Sequence, residues 1–173
     1  MSTETEHDTP VSGDRGTAPG RERLLDVVGL VARLLLGAVL VYAGGVKVGH
    51  PLTAERAVQA YEIFPMDLAG WIGLALPFVE IVLGILLLLG LFTRPVAIVS
   101  TVLMVAFIIG ISQAWARGLT IDCGCFGGGG QIGAAETRYP QEIARDAAFA
   151  LAGGWLVWRP RSLASLDRFL FGH

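Results

Sequence analysis

From Pro95 to Ala116 the chain runs without a single charge, long enough to cross the hydrocarbon core of a bilayer in helical form. Such a segment admits few folds. In lipid every backbone N–H and C=O must be satisfied within the span, so a helix is the natural state. Two further segments have the same character. Leu24 to Val46 is apolar except for Asp26 and Arg33, and Leu68 to Phe92 is broken only by Pro77 and Glu80. A fourth, Ala147 to Trp158, is shorter and must borrow Ile143 to Asp146 and its aromatic ends to span. Of the 173 residues 53% are hydrophobic and 16% charged, against about 25% charged in a typical soluble domain. A net charge near −2 offers no basic surface for nucleic acid.

These segments predict an all-α protein, a four-helix transmembrane bundle occupying residues 24–160. Its spans fall at about 24–46, 68–92, 95–116 and 143–160. The polar start, residues 1–23, is rich in Thr, Gly, Pro and Glu and reads as a disordered tail. Residues 161–173 form a short C-terminal tail. The first span is too long for the apolar region of a cleaved signal. Arg15, Arg21, Arg23, Arg94, Arg159, Arg161 and Arg168 lie on the side of the termini. Lys47, Arg56, Arg117, Arg138 and Arg145 lie on the other. The larger set, nearest the first span, places both termini in the cytoplasm and the loop before the fourth span outside it. Trp155 and Trp158 read as interfacial belt residues.

That outer loop holds both cysteines of the chain, in "GLTIDCGCFGGGGQ". Two thiols at i and i+2 can close a disulfide, but the ring is small, and strain makes such a bond easily reduced. Strained, exposed disulfides tend to be the catalytic or regulatory ones. Cys123 and Cys125 are therefore the candidate exchange pair. Gly124 gives the backbone freedom to close the ring, and Gly127 to Gly130 would let the loop flex around a docking partner. Asp122 would disfavour a thiolate at Cys123, which leans the attacking role toward Cys125, or would cap a turn. Metal is a poor reading: a structural zinc takes four ligands, and His7, His50 and His173 are far off in sequence. Two inert thiols, or a short staple of little entropic value, are the bland alternatives.

Ionisable residues at membrane depth are costly and are usually paired or functional. Counted from the span ends, Arg33 lies about 13 Å and Glu80 about 18 Å from the inner side. Arg33, Gly37, Gly44 and Lys47 share a stripe on the first helix, as do Gly73, Pro77, Glu80 and Gly84 on the second. Small residues on both stripes allow close approach. The expectation is an Arg33–Glu80 pair in the core. Lys47 either snorkels to the headgroups or lies near the cysteine loop and lowers a thiol pKa.

The stretches "RLLLGAVLVYAGGVKVGHP", "ALPFVEIVLGILLLLGLFTR", "ARGLTIDCGCFGGGG" and "RYPQEIARD" together resemble the MauE/DoxX-like redox-associated membrane proteins. The likeness runs from about Leu24 to Asp167, and Cys-Gly-Cys-Phe-Gly is its most specific part. It implies a four-helix membrane protein related in architecture to the DsbB and vitamin K epoxide reductase bundles. It also implies a part in disulfide formation or reduction in exported proteins, beside a thioredoxin-like partner. MauE is named for maturation of methylamine dehydrogenase, whose small subunit is rich in disulfides. The DsbB-type enzymes relay electrons to quinone through two cysteine pairs, and this chain has one. A relay to quinone would need a second pair from a partner, or direct exchange at Cys123 and Cys125. No cofactor is assigned from the residues themselves. The rival reading is a non-enzymatic membrane scaffold for assembly or export, with structural cysteines. Solute transport has only Arg33 and Glu80 to line a path.

Overall fold

The computed structural model describes residues 19–159. Five α-helices carry the fold: α1 (Pro19–Val48), α2 (Pro51–Ala60), α3 (Met66–Leu89), α4 (Thr93–Ala116) and α5 (Tyr139–Trp158). Three of them, α1, α3 and α4, are long and apolar enough to cross a membrane. The fourth expected span coincides with α5, whose first turns are polar. Helix α1 begins at Pro19, so residues 19–23 of the expected disordered tail are helical. The rest of that tail, 1–18, and the C-terminal tail, 161–173, lie outside the described residues.

Helices α1 and α3 form one close pair and α4 and α5 another, and the pairs meet through α1–α5 and α3–α4. Small residues set the first pair's register. A Cβ on Gly37 would lie 3.0 Å from the Gly84 carbonyl, and one on Gly44 would lie 2.5 Å from that of Pro77. In lipid no hydrophobic drive brings helices together, so such close backbone packing supplies the attraction. Gly73, expected on the same seam, instead faces α2, with the Ala54 carbonyl 2.7 Å from its would-be Cβ. Between α3 and α4 the chain turns sharply. Gly90 sits at φ 66°, and Leu91 N–H donates to the Leu86 carbonyl at 3.0 Å, a Schellman stop.

The inner seam is a run of Leu36, Leu40, Leu83, Leu87, Met104 and Leu156. Outside it, Tyr42, Trp71, Val102, Leu151 and Trp158 are each more than three-fifths exposed. A belt of that size in water would be an aggregation hazard; against acyl chains it is the expected outer face. Arg159 at the end of α5 pairs with Glu22 at 2.6 Å and Asp26 at 3.3 Å on α1. The two ends of the described chain therefore meet at one pole, while the cysteine loop caps the other.

Helix α2 is the element that hydropathy does not announce. Pro51 in its first turn is its one sequence signal. It lies between α1 and α3 and forms the floor of the cap, with Ala54 and Ala57 buried.

Candidate functional site at the cysteine cap

The cap is built from residues 118–138. A two-residue antiparallel pairing of β1 (Ile121–Asp122) with β2 (Gly130–Gln131) closes the loop on itself. Tyr139 anchors it from below: its hydroxyl accepts from Ile121 N–H at 2.9 Å and donates to the Leu119 carbonyl at 2.6 Å. The Tyr61 hydroxyl donates to the Cys123 carbonyl at 3.1 Å. Asp122 Oδ1 accepts from Gly124 N–H at 2.9 Å, so it caps the turn between the cysteines.

The glycines are not there for looseness. Gly124, Gly127, Gly129 and Gly130 all take positive φ, from 71° to 146°. A Cβ on Gly124 or Gly129 would lie 2.5 Å from Ala57 Cβ, and one on Gly127 would strike Val46. The expected flexing loop is instead a backbone pressed onto α2 and the end of α1, in conformations that only glycine takes without strain.

Both cysteines are free thiols, Cys123 half-buried and Cys125 buried. Cys125 N–H donates to Cys123 Sγ at 3.4 Å. Arg145, from the first turns of α5, directs its Nη2 to Cys123 Sγ at 3.8 Å and lies over the Phe126 ring, 4.6 Å from its centroid. Hydrogen bonding from the Cys125 side chain, with its backbone N–H and Arg145 adding to it, holds the Cys123 thiol below its ordinary range against the opposing pull of burial. Cys125 moves the other way: its hydrogen bond to Cys123 and then its burial push its pKa well up. Asp122 spends its charge on the Gly124 N–H, whereas the cation lies on Cys123.

That cation is Arg145 rather than Lys47. Lys47 is 5% exposed and does not snorkel. Its ammonium bonds Glu80 Oε1 at 2.6 Å and stands 5.6 Å from the Phe107 ring centroid. Glu80 thus pairs with Lys47, and the expected Arg33–Glu80 pair is corrected. Register explains it. Gly44 packs on Pro77 and Ile81, and Gly37 on Gly84 and Leu88, so Glu80 faces the half of α1 nearer the cysteine cap. Lys47 lies less than one turn beyond Gly44, and its Cα–Cβ bond leans back toward the helix N-terminus. Arg33 is about 16 Å from Gly44 in the other direction. Arg33 is itself buried, deep in the opposite half.

Two acidic residues beside Arg145 complete the site. Asp146, 3% exposed, accepts from Arg145 at 3.0 Å through Oδ1. The Glu142 carboxylate, the Asp122 carboxylate and the Cys123 sulfur lie within 4.8 Å of one another. These three donors are one short of a structural zinc set. The sequence did carry a signal for this face. Glu142, Arg145 and Asp146 stand at i, i+3 and i+4 at the head of an otherwise apolar helix, on one side of it.

Beneath Cys125 lies a cavity of about 20 Å³, lined by Leu40, Glu80, Phe107, Cys125, Asp146 and Phe149 among others. That is room for one water molecule. A quinone ring does not fit it.

The fold and site together define a helical, multi-pass type of membrane protein capped by two adjacent, inequivalent thiols. The chain belongs to the MauE family: the model of methylamine utilisation protein MauE matches residues 25–159. No curated protein and no solved structure matches the chain.

Proposed function

We propose that this MauE-family protein is a membrane component of thiol–disulfide exchange. It acts on an extracytoplasmic thioredoxin-like partner in a maturation pathway of the kind its family is named for. In this reading α5 crosses the membrane as a fourth span, in a DsbB- and vitamin K epoxide reductase-like arrangement. Both termini are then cytoplasmic and the cap faces outward, where disulfides persist.

The observation that carries the proposal is the inequality of the two sulfurs. Cys123 is the more exposed, has a guanidinium on it, and has its pKa held down. Cys125 is buried behind it with its pKa raised. An exchange site needs that division: one thiolate to attack and one thiol to wait. The Cys123 thiolate attacks the partner's disulfide, whose S–S bond breaks and whose leaving sulfur takes the electron pair. The Cys125 sulfur then attacks Cys123 Sγ, closes the Cys123–Cys125 disulfide and releases the partner as a dithiol. Thiol and disulfide trade places with no external oxidant.

Removing the waiting thiol should leave the intermediate stranded. In cells, Cys125→Ser is expected to accumulate a mixed disulfide with a thioredoxin-like protein, seen on non-reducing gels and lost with reductant. Cys123→Ser should trap nothing. If the double serine variant retains full function in the cell, the exchange reading fails and the scaffold reading takes its place.

A further inference from the structure

Exchange at this cap raises a question about protons, because Cys125 must lose its proton before it can close the disulfide, yet it is only 7% exposed. The protein supplies a place for that proton to go. The cavity under Cys125 is lined on one side by Glu80 and on another by Asp146, which are 1% and 3% exposed. Each of these carboxylates has one oxygen engaged, Glu80 Oε1 by Lys47 and Asp146 Oδ1 by Arg145. Each also has a second oxygen, Glu80 Oε2 and Asp146 Oδ2, that is buried and without a hydrogen-bond partner among the described residues. Two such oxygens are costly to bury unless something hydrogen-bonds them. The cavity volume of about 20 Å³ suits one water, which needs two to four polar neighbours. Cys125, Glu80 and Asp146 are the polar members of its lining, and the remaining walls are apolar.

We infer that Asp146, acting through one water in this cavity and backed by Glu80, is the internal proton acceptor for Cys125 in the closing step. The inference rests on the exchange reading above. In the step itself, the Cys125 S–H bond breaks and its proton passes by way of the water to the Asp146 carboxylate. The freed sulfur then attacks Cys123 Sγ and expels the leaving sulfur with its electron pair. The oxidant is the disulfide already joined to Cys123. Asp146 has the better claim because it directly follows Arg145. One helical turn thus serves both sulfurs, holding a cation on the attacking one and a base under the waiting one. The Lys47 ammonium engages Glu80 Oε1, which leaves Oε2 to hold the water in orientation.

The test uses the full-length protein in detergent with 5,5′-dithiobis(2-nitrobenzoate), a small symmetrical disulfide. Attack by Cys123 releases one thionitrobenzoate, and closure by Cys125 releases a second. Asp146→Asn is expected to slow the second phase roughly a hundredfold, the scale of a lost general base, and the first phase far less, through its pairing with Arg145 alone. Asp146→Glu should recover much of the second phase, and Glu80→Gln should slow it less than Asp146→Asn does. A damaged fold would slow both phases together and would not be rescued by Asp146→Glu. Unchanged closure in Asp146→Asn, or equal slowing of both phases, overturns the inference and leaves exchange standing. A wild type with no fast first phase overturns the exchange reading and this one with it.

Discussion

On the α1–α3 seam a Cβ on Gly44 would stand 2.5 Å from the Pro77 carbonyl, and in the cap one on Gly124 would stand 2.5 Å from the Ala57 side chain. The crowding is equal, but the backbones are not. Gly44 lies inside α1, where any residue is at home, whereas Gly124 has a φ of +71°. A helix seam can answer an added methyl by sliding or tilting, at the cost of looser packing. The cap cannot, because its conformation itself excludes a side chain. The seam is therefore held by contact and by one buried ion pair, while the cap is held by conformation. That difference suits the exchange site proposed above, whose two sulfurs would be held in place while a partner approaches.

The sharpest way to break the comparison is through the seam's ion pair. Lys47→Leu strips Glu80 of its cation in a buried setting and should destabilise the protein by about 3–5 kcal/mol. Adding Glu80→Leu should recover much of that loss. Arg33→Leu combined with Glu80→Leu should show only additive effects, because those residues stand on different levels. Thermal unfolding in detergent reads all three. Strong coupling between Arg33 and Glu80 would mean that the α1–α3 register is wrong.

The glycines sharpen the comparison at lower cost. Gly124→Ala meets both Ala57 and a left-handed backbone, and is expected to cost roughly 2–4 kcal/mol. Gly44→Ala meets only contact, at roughly 1–3 kcal/mol. Gly118→Ala meets only conformation, with φ +69° and open space around the new methyl, at about 1 kcal/mol. Equal losses at all three positions, again by thermal unfolding, would remove the distinction between seam and cap.

How much of this was legible in the chain follows the same division. The three span-length helices were, because lipid imposes one simple rule on long apolar runs. The expected 95–116 is α4 but for two residues, and the expected 68–92 is α3 shifted by two or three at each end. The seam glycines were legible too, as a stripe of small residues. The partner of Glu80 was not. Its depth was counted from span ends, and α1 starts five residues earlier than hydropathy alone marks. The true register comes from where glycines let the backbones touch. The cap was legible as a cysteine pair but not as a site. Arg145 reaches Cys123 across residues that carry no periodic pattern, and α2 is too short and polar for hydropathy to mark. Sequence proximity gave Asp122 the influence over Cys123 that the fold gives to Arg145.

The central claim is that Cys123 is the attacking sulfur and Cys125 the waiting one. Site-resolved alkylation of the reduced protein by iodoacetamide, followed across pH by peptide mass spectrometry, tests it most directly. Thiolates react and thiols do not, so each rate rises as its thiol deprotonates. With its pKa held down, Cys123 should reach half its limiting rate below the ordinary thiol value of about 8.5, and Cys125 well above it. Arg145→Met should move the Cys123 midpoint upward, toward that of Cys125, because a cation that favours the thiolate is gone. Cys125 reacting first, or both cysteines sharing one midpoint that Arg145→Met leaves in place, would contradict the account.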